Sequence, residues 1–197
     1  MKCLVVIAHP LTNSLCKKLT QEVVLNLQHA GHEVIVEDLY QKRFESALSE
    51  TERESYYAAE YNASALQYEV NNLVSADAIV LLFPTWWFAF PAILKGWFDR
   101  VWAPGIAYDH ADDYGPIKPL LKNLKKMLVV TTLGSPWWVD YLILWRPVKR
   151  NLKIALLMTC APQCQLQFLS LYKCEKLEQS KVDRYIAKIK KALTNWH

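Results

Sequence analysis

Short apolar runs recur along this chain between stretches of helical periodicity, and that alternation constrains the fold more than any other feature. Lys2–Ala8 (KCLVVIA), Asp77–Phe83 and Lys126–Thr132 (KMLVVTT) are nearly continuous in apolar character. Each reads as a strand covered on both faces. Glu33–Asp38 (EVIVED) is a further strand, and Gln163–Leu171 alternates polar with apolar residues, as an edge strand with one solvated face does. Helices lie between them. Leu15, Leu19, Val23 and Leu27 fall four apart along Asn13–His29, which is one face of a helix. Thr12, Asn13 and Ser14 supply capping oxygens at its start, and Gly31 stops it. A helix over Ala63–Ser75, an apolar helix starting near Pro91, and a final helix striped by Val182, Ile186, Ile189 and Leu193 complete the rhythm. Residues 40–62 form a long polar connection with a helical turn or two. Residues 136–158 are helical in parts, broken at Trp145-Arg146-Pro147. The alternation predicts an α/β chain with five parallel strands between helical layers. It never pauses long enough to mark a boundary, so residues 1–197 are expected to form a single domain.

Composition narrows the function classes. At 52% apolar and 21% charged residues the chain is globular rather than disordered. The net charge of +4 is mild, and Lys188, Lys190 and Lys191 sit on the final amphipathic helix as a solvated face, so no nucleic-acid partner is expected. The five cysteines are odd in number and no secretory segment precedes Cys3. Reduced thiols in the cytoplasm are the expectation. No metal site is expected either: Cys160 and Cys164 lack a second pair, and Asp109, Asp112 and Asp113 fall short of a calcium loop. Residues 78–98 are apolar enough to raise a membrane span, but Pro84 and Pro91 interrupt them and Lys95 lies inside them. A strand–loop–helix unit fits better.

Parallel sheets place their ligands outside the carboxyl ends of the strands. The loops expected there are 9–14, 84–90, 104–116 and 133–140. Glycine-rich dinucleotide and triphosphate fingerprints are absent, as is the G-x-S-x-G elbow of many hydrolases. His9-Pro-Leu-Thr-Asn-Ser14 opens the first helix, whose free N–H groups and positive dipole end suit one phosphate group. An ordinary capped helix with a solvated His reads equally well from this motif alone. Four aromatic rings fall between Pro84 and Pro91, and their π-faces suit a flat conjugated ligand. Gly134, after Thr131-Thr132-Leu133, allows a close backbone approach or marks a simple turn. Seven of the eight Trp lie between 86 and 145. They read as a Trp-rich core or, favoured by the loop-like pairs, as an aromatic pocket plus an interface.

Three stretches carry a resemblance: Ala8-His9-Pro10 with Asn13-Ser14, FPTWWFAFPAILKGWFDRVW at 83–102, and TTLGSPWW at 131–138. Together they are similar to the flavodoxin-like NAD(P)H:quinone oxidoreductase family, which includes the mammalian quinone reductases, bacterial modulators of drug activity and the ancillary subunits of potassium-efflux systems. VKRNLKIALLMTCAP at 148–162 resembles the shorter bacterial branch. The resemblance implies a flavodoxin-like three-layer sandwich with strand order 2-1-3-4-5. It implies a flavin, with FMN slightly favoured and FAD the alternative, and NAD(P)H as electron donor. Two-electron reduction of a quinone-like acceptor follows, in a homodimer with sites at the subunit interface. By position, His9, Ser14, Leu15 and Cys16 would hold the flavin phosphate region. Pro84, Thr85, Trp86, Trp87 and Phe88 would lie along the ribityl chain and ring edge, and Thr131, Thr132, Leu133 and Gly134 would cover the other edge. Tyr108, His110 and Tyr141 are the candidate catalytic residues, Tyr108 closing the pocket from the partner subunit. A second reading is a regulatory subunit docked on a membrane transporter, as the efflux-associated relatives are.

Overall fold

The computed structural model describes residues 1–58, 60–109 and 116–196. Its main sheet has five parallel strands: β1 (Lys2–Ile7), β2 (Glu33–Asp38), β3 (Ala78–Pro84), β6 (Lys126–Leu133) and β7 (Gln165–Tyr172), in the order β2-β1-β3-β6-β7. Counted along the main sheet alone, this is the expected order 2-1-3-4-5. The continuous apolar runs occupy β1, β3 and β6, the three central strands, which have no free edge and are buried along nearly their whole length.

Alternate residues of each strand divide between two cores. Leu4, Val6, Ile79, Leu81, Met127 and Val129 face one way, and Cys3, Val5, Val80, Leu82, Leu128 and Val130 face the other. The second core is closed by α1 (Leu15–His29) and α7 (Gln179–Thr194). The first is closed by α3 (Gln67–Ser75), α4 (Ala92–Val101) and a helical stretch made of α5 (Pro147–Arg150), the π-helical Asn151–Leu157 and α6 (Met158–Cys160). The result is three layers. No helix among the described residues is long and apolar enough to cross a membrane. Residues 78–98 are a strand, a loop and a helix, as their two prolines require.

The polar connection after β2 is docked rather than loose. Its one α-helix, α2 (Glu50–Ser55), starts in a capping box between Ser49 and Glu52. Glu52 then reaches α4, where Arg100 Nη2 donates to it at 2.6 Å and Nε at 3.0 Å, with both side chains buried. Gly96 lets the chain approach this closely: a Cβ there would lie 2.1 Å from the Ser46 carbonyl oxygen. Inside the sheet edge, Glu37 of β2 is fully buried and accepts from Asn72 at 2.7 Å and from the Trp97 indole at 3.2 Å. Burial pushes its carboxyl above the ordinary glutamate value, against the pull of those two donors.

Two expectations need correction. The loop expected at 104–116 opens a small antiparallel ribbon, β4 (Tyr108–Asp109) against β5 (Lys118–Pro119). Strands of two residues show no periodicity, so the sequence carries no mark of them. The helix placed over 63–75 opens instead as a 3-10 turn over Ser64–Leu66, with no side-chain cap at Ala63.

Candidate functional site

Three loops meet along the carboxyl rim of the central strands, because β1, β3 and β6 are adjacent and parallel. The first follows β1. Ser14 caps α1, its hydroxyl oxygen accepting the Lys17 N–H at 3.3 Å. The cap leaves the N–H groups of Leu15 and Cys16, in the first helical turn, without intrahelical acceptors. The Cys16 thiol itself is buried under α1 and burial pushes it up to about 12, so only the backbone of Cys16 faces the loop chemistry. Lys17 is taken by Asp38 of β2 in an ion pair.

His9 is tied back to its own loop. Its Nδ1 accepts the Leu11 N–H at 3.1 Å, so the ring proton sits on Nε2. Burial lowers its pKa below the ordinary histidine value, and the nearby Lys17 acts in the same direction.

The second loop leaves β3 through Thr85, whose N–H donates to the Thr132 carbonyl at 2.9 Å and whose hydroxyl lies 2.7 Å from that of Thr131. These bonds extend the β3–β6 ladder past Pro84. The chain then reverses in a tight turn, with the Ala89 N–H donating to the Trp86 carbonyl at 2.9 Å. Both central residues are left-handed, Trp87 at φ 50° and Phe88 at φ 55°. Asn-Gly is the usual occupant of such a turn. Two bulky aromatics here hold strain of about 1–3 kcal/mol each. The turn leaves Trp87 98% exposed. Phe90 anchors the return, its ring 5.6 Å from Phe83 and 5.3 Å from Phe98.

The third loop follows β6. Leu133 is buried, and its carbonyl accepts the Cys174 N–H at 3.0 Å. The N–H groups of Gly134 and Ser135 take no acceptor among the described residues. A Cβ on Gly134 would lie 3.0 Å from Glu175 Oε1, so the glycine makes room for that carboxylate.

Two of the three candidate catalytic residues are described, and they lie on different elements. Tyr141 lies beside the third loop, its ring packed edge-on against Trp137 and Tyr172, with the Arg146 guanidinium 4.3 Å above it. Tyr108 is on the small ribbon, half-buried, and its hydroxyl meets that of Tyr56 at 3.3 Å. Burial and the Tyr56 hydroxyl both push its phenol well above the ordinary tyrosine value. His110, with Asp112, Asp113 and Tyr114, lies outside the described residues.

Sequence reasoning missed Asp140. It is buried beside the third loop and accepts the Tyr172 hydroxyl at 2.6 Å. The signal was a lone carboxylate inside the apolar run Trp137–Trp145, which demands a buried partner. The tryptophans divide as well. Trp97, Trp102 and Trp196 are core, whereas Trp86, Trp87, Trp137, Trp138 and Trp145 are exposed.

Comparison with known proteins adds a family. A family described as "Flavodoxin-like fold" matches residues 1–193. NAD(P)H dehydrogenase [quinone] 1 of Cavia porcellus is 35% identical over 150 residues, covering 68% of this chain and 54% of that protein. An uncharacterized NAD(P)H oxidoreductase of Haemophilus influenzae is 35% identical over 136 residues, covering 68% of this chain and 65% of its own length. The solved NAD(P)H:quinone oxidoreductase from Methanothermobacter marburgensis superposes with a TM-score of 0.84 at 25% identity, covering 100% of this chain and 97% of that one. The chain thus spans 54% and 65% of the length of these two curated relatives.

Proposed function

The chain belongs to the flavodoxin-like family that contains the NAD(P)H:quinone oxidoreductases, and on that premise we propose that it is a flavin-dependent NAD(P)H oxidoreductase reducing quinones or related acceptors by two-electron transfer. The observation that carries this reading is the rim itself. One end offers donors for a phosphate, the Leu15 and Cys16 N–H groups with the Ser14 hydroxyl and the His9 Nε2–H. The middle offers a strained turn that holds Trp87 out and leaves Phe88 half-buried, and the far end offers the unpaired N–H groups of Gly134 and Ser135. A molecule with an anionic head, a flat body and a polar far edge fits that sequence of groups.

A bound flavin supplies the hydride chemistry, and the protein supplies binding, orientation and electrostatics. Thr85 and Thr131 lock the two central loops to each other, which fixes the width of the slot. Trp87 and Phe88 give it a flat wall that excludes water. Gly134 and Ser135 donate to negative charge at the far edge, where fixed donors cost no reorganisation. Tyr108 and Tyr141 are the phenols that hold or pass a proton at their hydroxyls. A second copy of the chain covers Trp87 and completes the slot, in a homodimer placed in the cytoplasm.

FMN is the favoured flavin, since the Ser14 end offers room and donors for one phosphate. FAD remains the second reading for one reason. A groove of about 460 Å³ beyond β7 is lined by Lys173, Lys181, Arg184 and Lys188 beside Trp137, enough positive charge for a second phosphate.

The test is direct. The purified protein should be yellow, bleach with NAD(P)H and recolour with benzoquinone. Heat should release a chromophore whose mass decides between FMN and FAD. A colourless protein that takes up neither on titration overturns the reading.

A further inference from the structure

The α1 side of the sheet carries a groove that the flavin slot does not use. Cys16, Leu19, Val23 and Leu27 turn one face of α1 into the core with β1 and β3. β2 is the outermost strand, and the next face of α1 runs beside it. The side chains between them leave space: Leu25 is 49% exposed and Val36 42%. The result is a groove of about 590 Å³, an ordinary size for a small-molecule site.

Its two ends differ. Val24, Leu25 and Val36 make an apolar wall. At the carboxyl end of β2, Lys17 and Asp38 line the groove as an ion pair, with Gln41 beside them. Asp38 Oδ1 also accepts the Gln41 N–H at 3.1 Å. A carboxylate has about four acceptor sites, so these two partners leave others, and the Lys17 ammonium keeps donors to spare. Among the described residues of the lining, Lys17 and Asp38 are the only charges, and they cancel.

This chemistry selects the occupant. A head that donates to a carboxylate and accepts from an ammonium on adjacent atoms is a vicinal diol. In strand–helix–strand units, an acid at the end of the second strand is where a nucleotide ribose rests, and Asp38 is the last residue of β2. The apolar wall suits the flat base. The glycines that such units carry in the first loop serve a pyrophosphate, and residues 9–14 contain none. No unpaired cation lines the groove to hold a phosphate either. We propose that the groove between α1 and β2 is a second ligand site, which takes an uncharged ribonucleoside with its 2′,3′-diol on Asp38 and Lys17 and its base on Leu25 and Val36. Thr12 belongs both to this lining and to the loop assigned above to the flavin phosphate, so the two sites are neighbours with separate slots.

The test uses the full chain with FMN in excess and reads the heat of titration with adenosine. Saturable one-to-one binding is expected. 2′-Deoxyadenosine should bind about tenfold more weakly, since it loses a hydrogen bond to a charged group. Asp38→Asn should lower the affinity for adenosine and erase that preference. Leu25→Glu, a change on the exposed wall that leaves the buried face of α1 intact, should weaken adenosine binding by a similar factor. AMP should bind less tightly than adenosine, because its phosphate finds no unpaired cation. No heat with adenosine, equal affinity for the deoxy form, a Leu25→Glu protein that binds as well as the parent, or tighter binding of AMP overturns the proposal. The titration reads no turnover, so a protein that takes adenosine in this pattern but no flavin keeps the groove and loses the reading of the rim.

Discussion

The hydroxyl oxygens of Thr85 and Thr131 lie 2.7 Å apart, one on the loop leaving β3 and the other inside β6. With the Thr85 N–H bonded to Thr132, they make the seam between the two central loops of the rim. Thr131 is 1% exposed, so its hydroxyl has no water to fall back on.

Thr85→Val therefore strands a buried hydroxyl, and a loss of about 1–3 kcal/mol in stability is expected. The double change Thr85→Val/Thr131→Val should cost less than the single one, since both partners leave together. Urea midpoints of the three proteins check the order. Flavin should also dissociate faster from the single variant.

Trp87→Ala should separate stability from binding. The indole is 98% exposed, and exposed positions change stability by about 0.5 kcal/mol at most. Loss of an aromatic anchor should weaken flavin or acceptor binding by about 2–4 kcal/mol. Trp87→Gly should raise the melting temperature, because glycine meets the left-handed φ without strain. Unchanged flavin retention together with unchanged quinone kinetics would remove Trp87 from the slot.

The Glu52–Arg100 pair gives a pH dependence of definite sign. Burial alone raises the Glu52 carboxyl, but hydrogen bonds from Arg100 and from Ser49 outweigh it and leave the pKa below the ordinary value. A carboxyl depressed on folding contributes its full stability above the unfolded pKa of about 4.3, and loses it as the pH falls through the lower folded value. Glu52→Gln should cost about 3–5 kcal/mol at neutral pH, because Arg100 stays buried and uncompensated. The gap between the two proteins should narrow in acid, as denaturant unfolding at both ends of the range will record.

His9 carries a test of the phosphate end. Its depressed pKa favours the neutral ring on folding, a contribution present above about 6.5 and lost as the pH drops through the folded value. Protonating Nδ1 also breaks the bond from the Leu11 N–H. A phosphate dianion beside the ring favours the imidazolium, so FMN should move the His9 midpoint upward in an NMR titration. A midpoint indifferent to FMN places the phosphate elsewhere.

Much of this architecture was legible in the residues. The runs of β1, β3 and β6 marked central strands, and the stop at Pro84 and restart at Pro91 marked the loop between β3 and α4. Ser14 at the start of α1 read correctly as a cap. The candidate site was legible as a set of loops, since parallel strands send them all to one rim. Its inner details were not. Nothing near Trp87 and Phe88 announces a left-handed pair, because the usual glycine or asparagine is missing. Glu52 and Arg100 are 48 residues apart, and Glu37 and Trp97 are 60 apart, so neither sequence neighbourhood names its partner.

The sequence by itself determined the five strands of the main sheet, the helices between them, their parallel direction and the rim on which a ligand would rest. Apolar periodicity and capping are local, and a few neighbouring residues are enough to express them. Only the tertiary structure decided which tryptophans are core and which stand exposed, that His9 Nδ1 accepts from the Leu11 N–H, and that Asp140 is spent on Tyr172. Burial and the partners of a polar group depend on which distant segments meet, and that is settled when the sheet and its two helical layers close together.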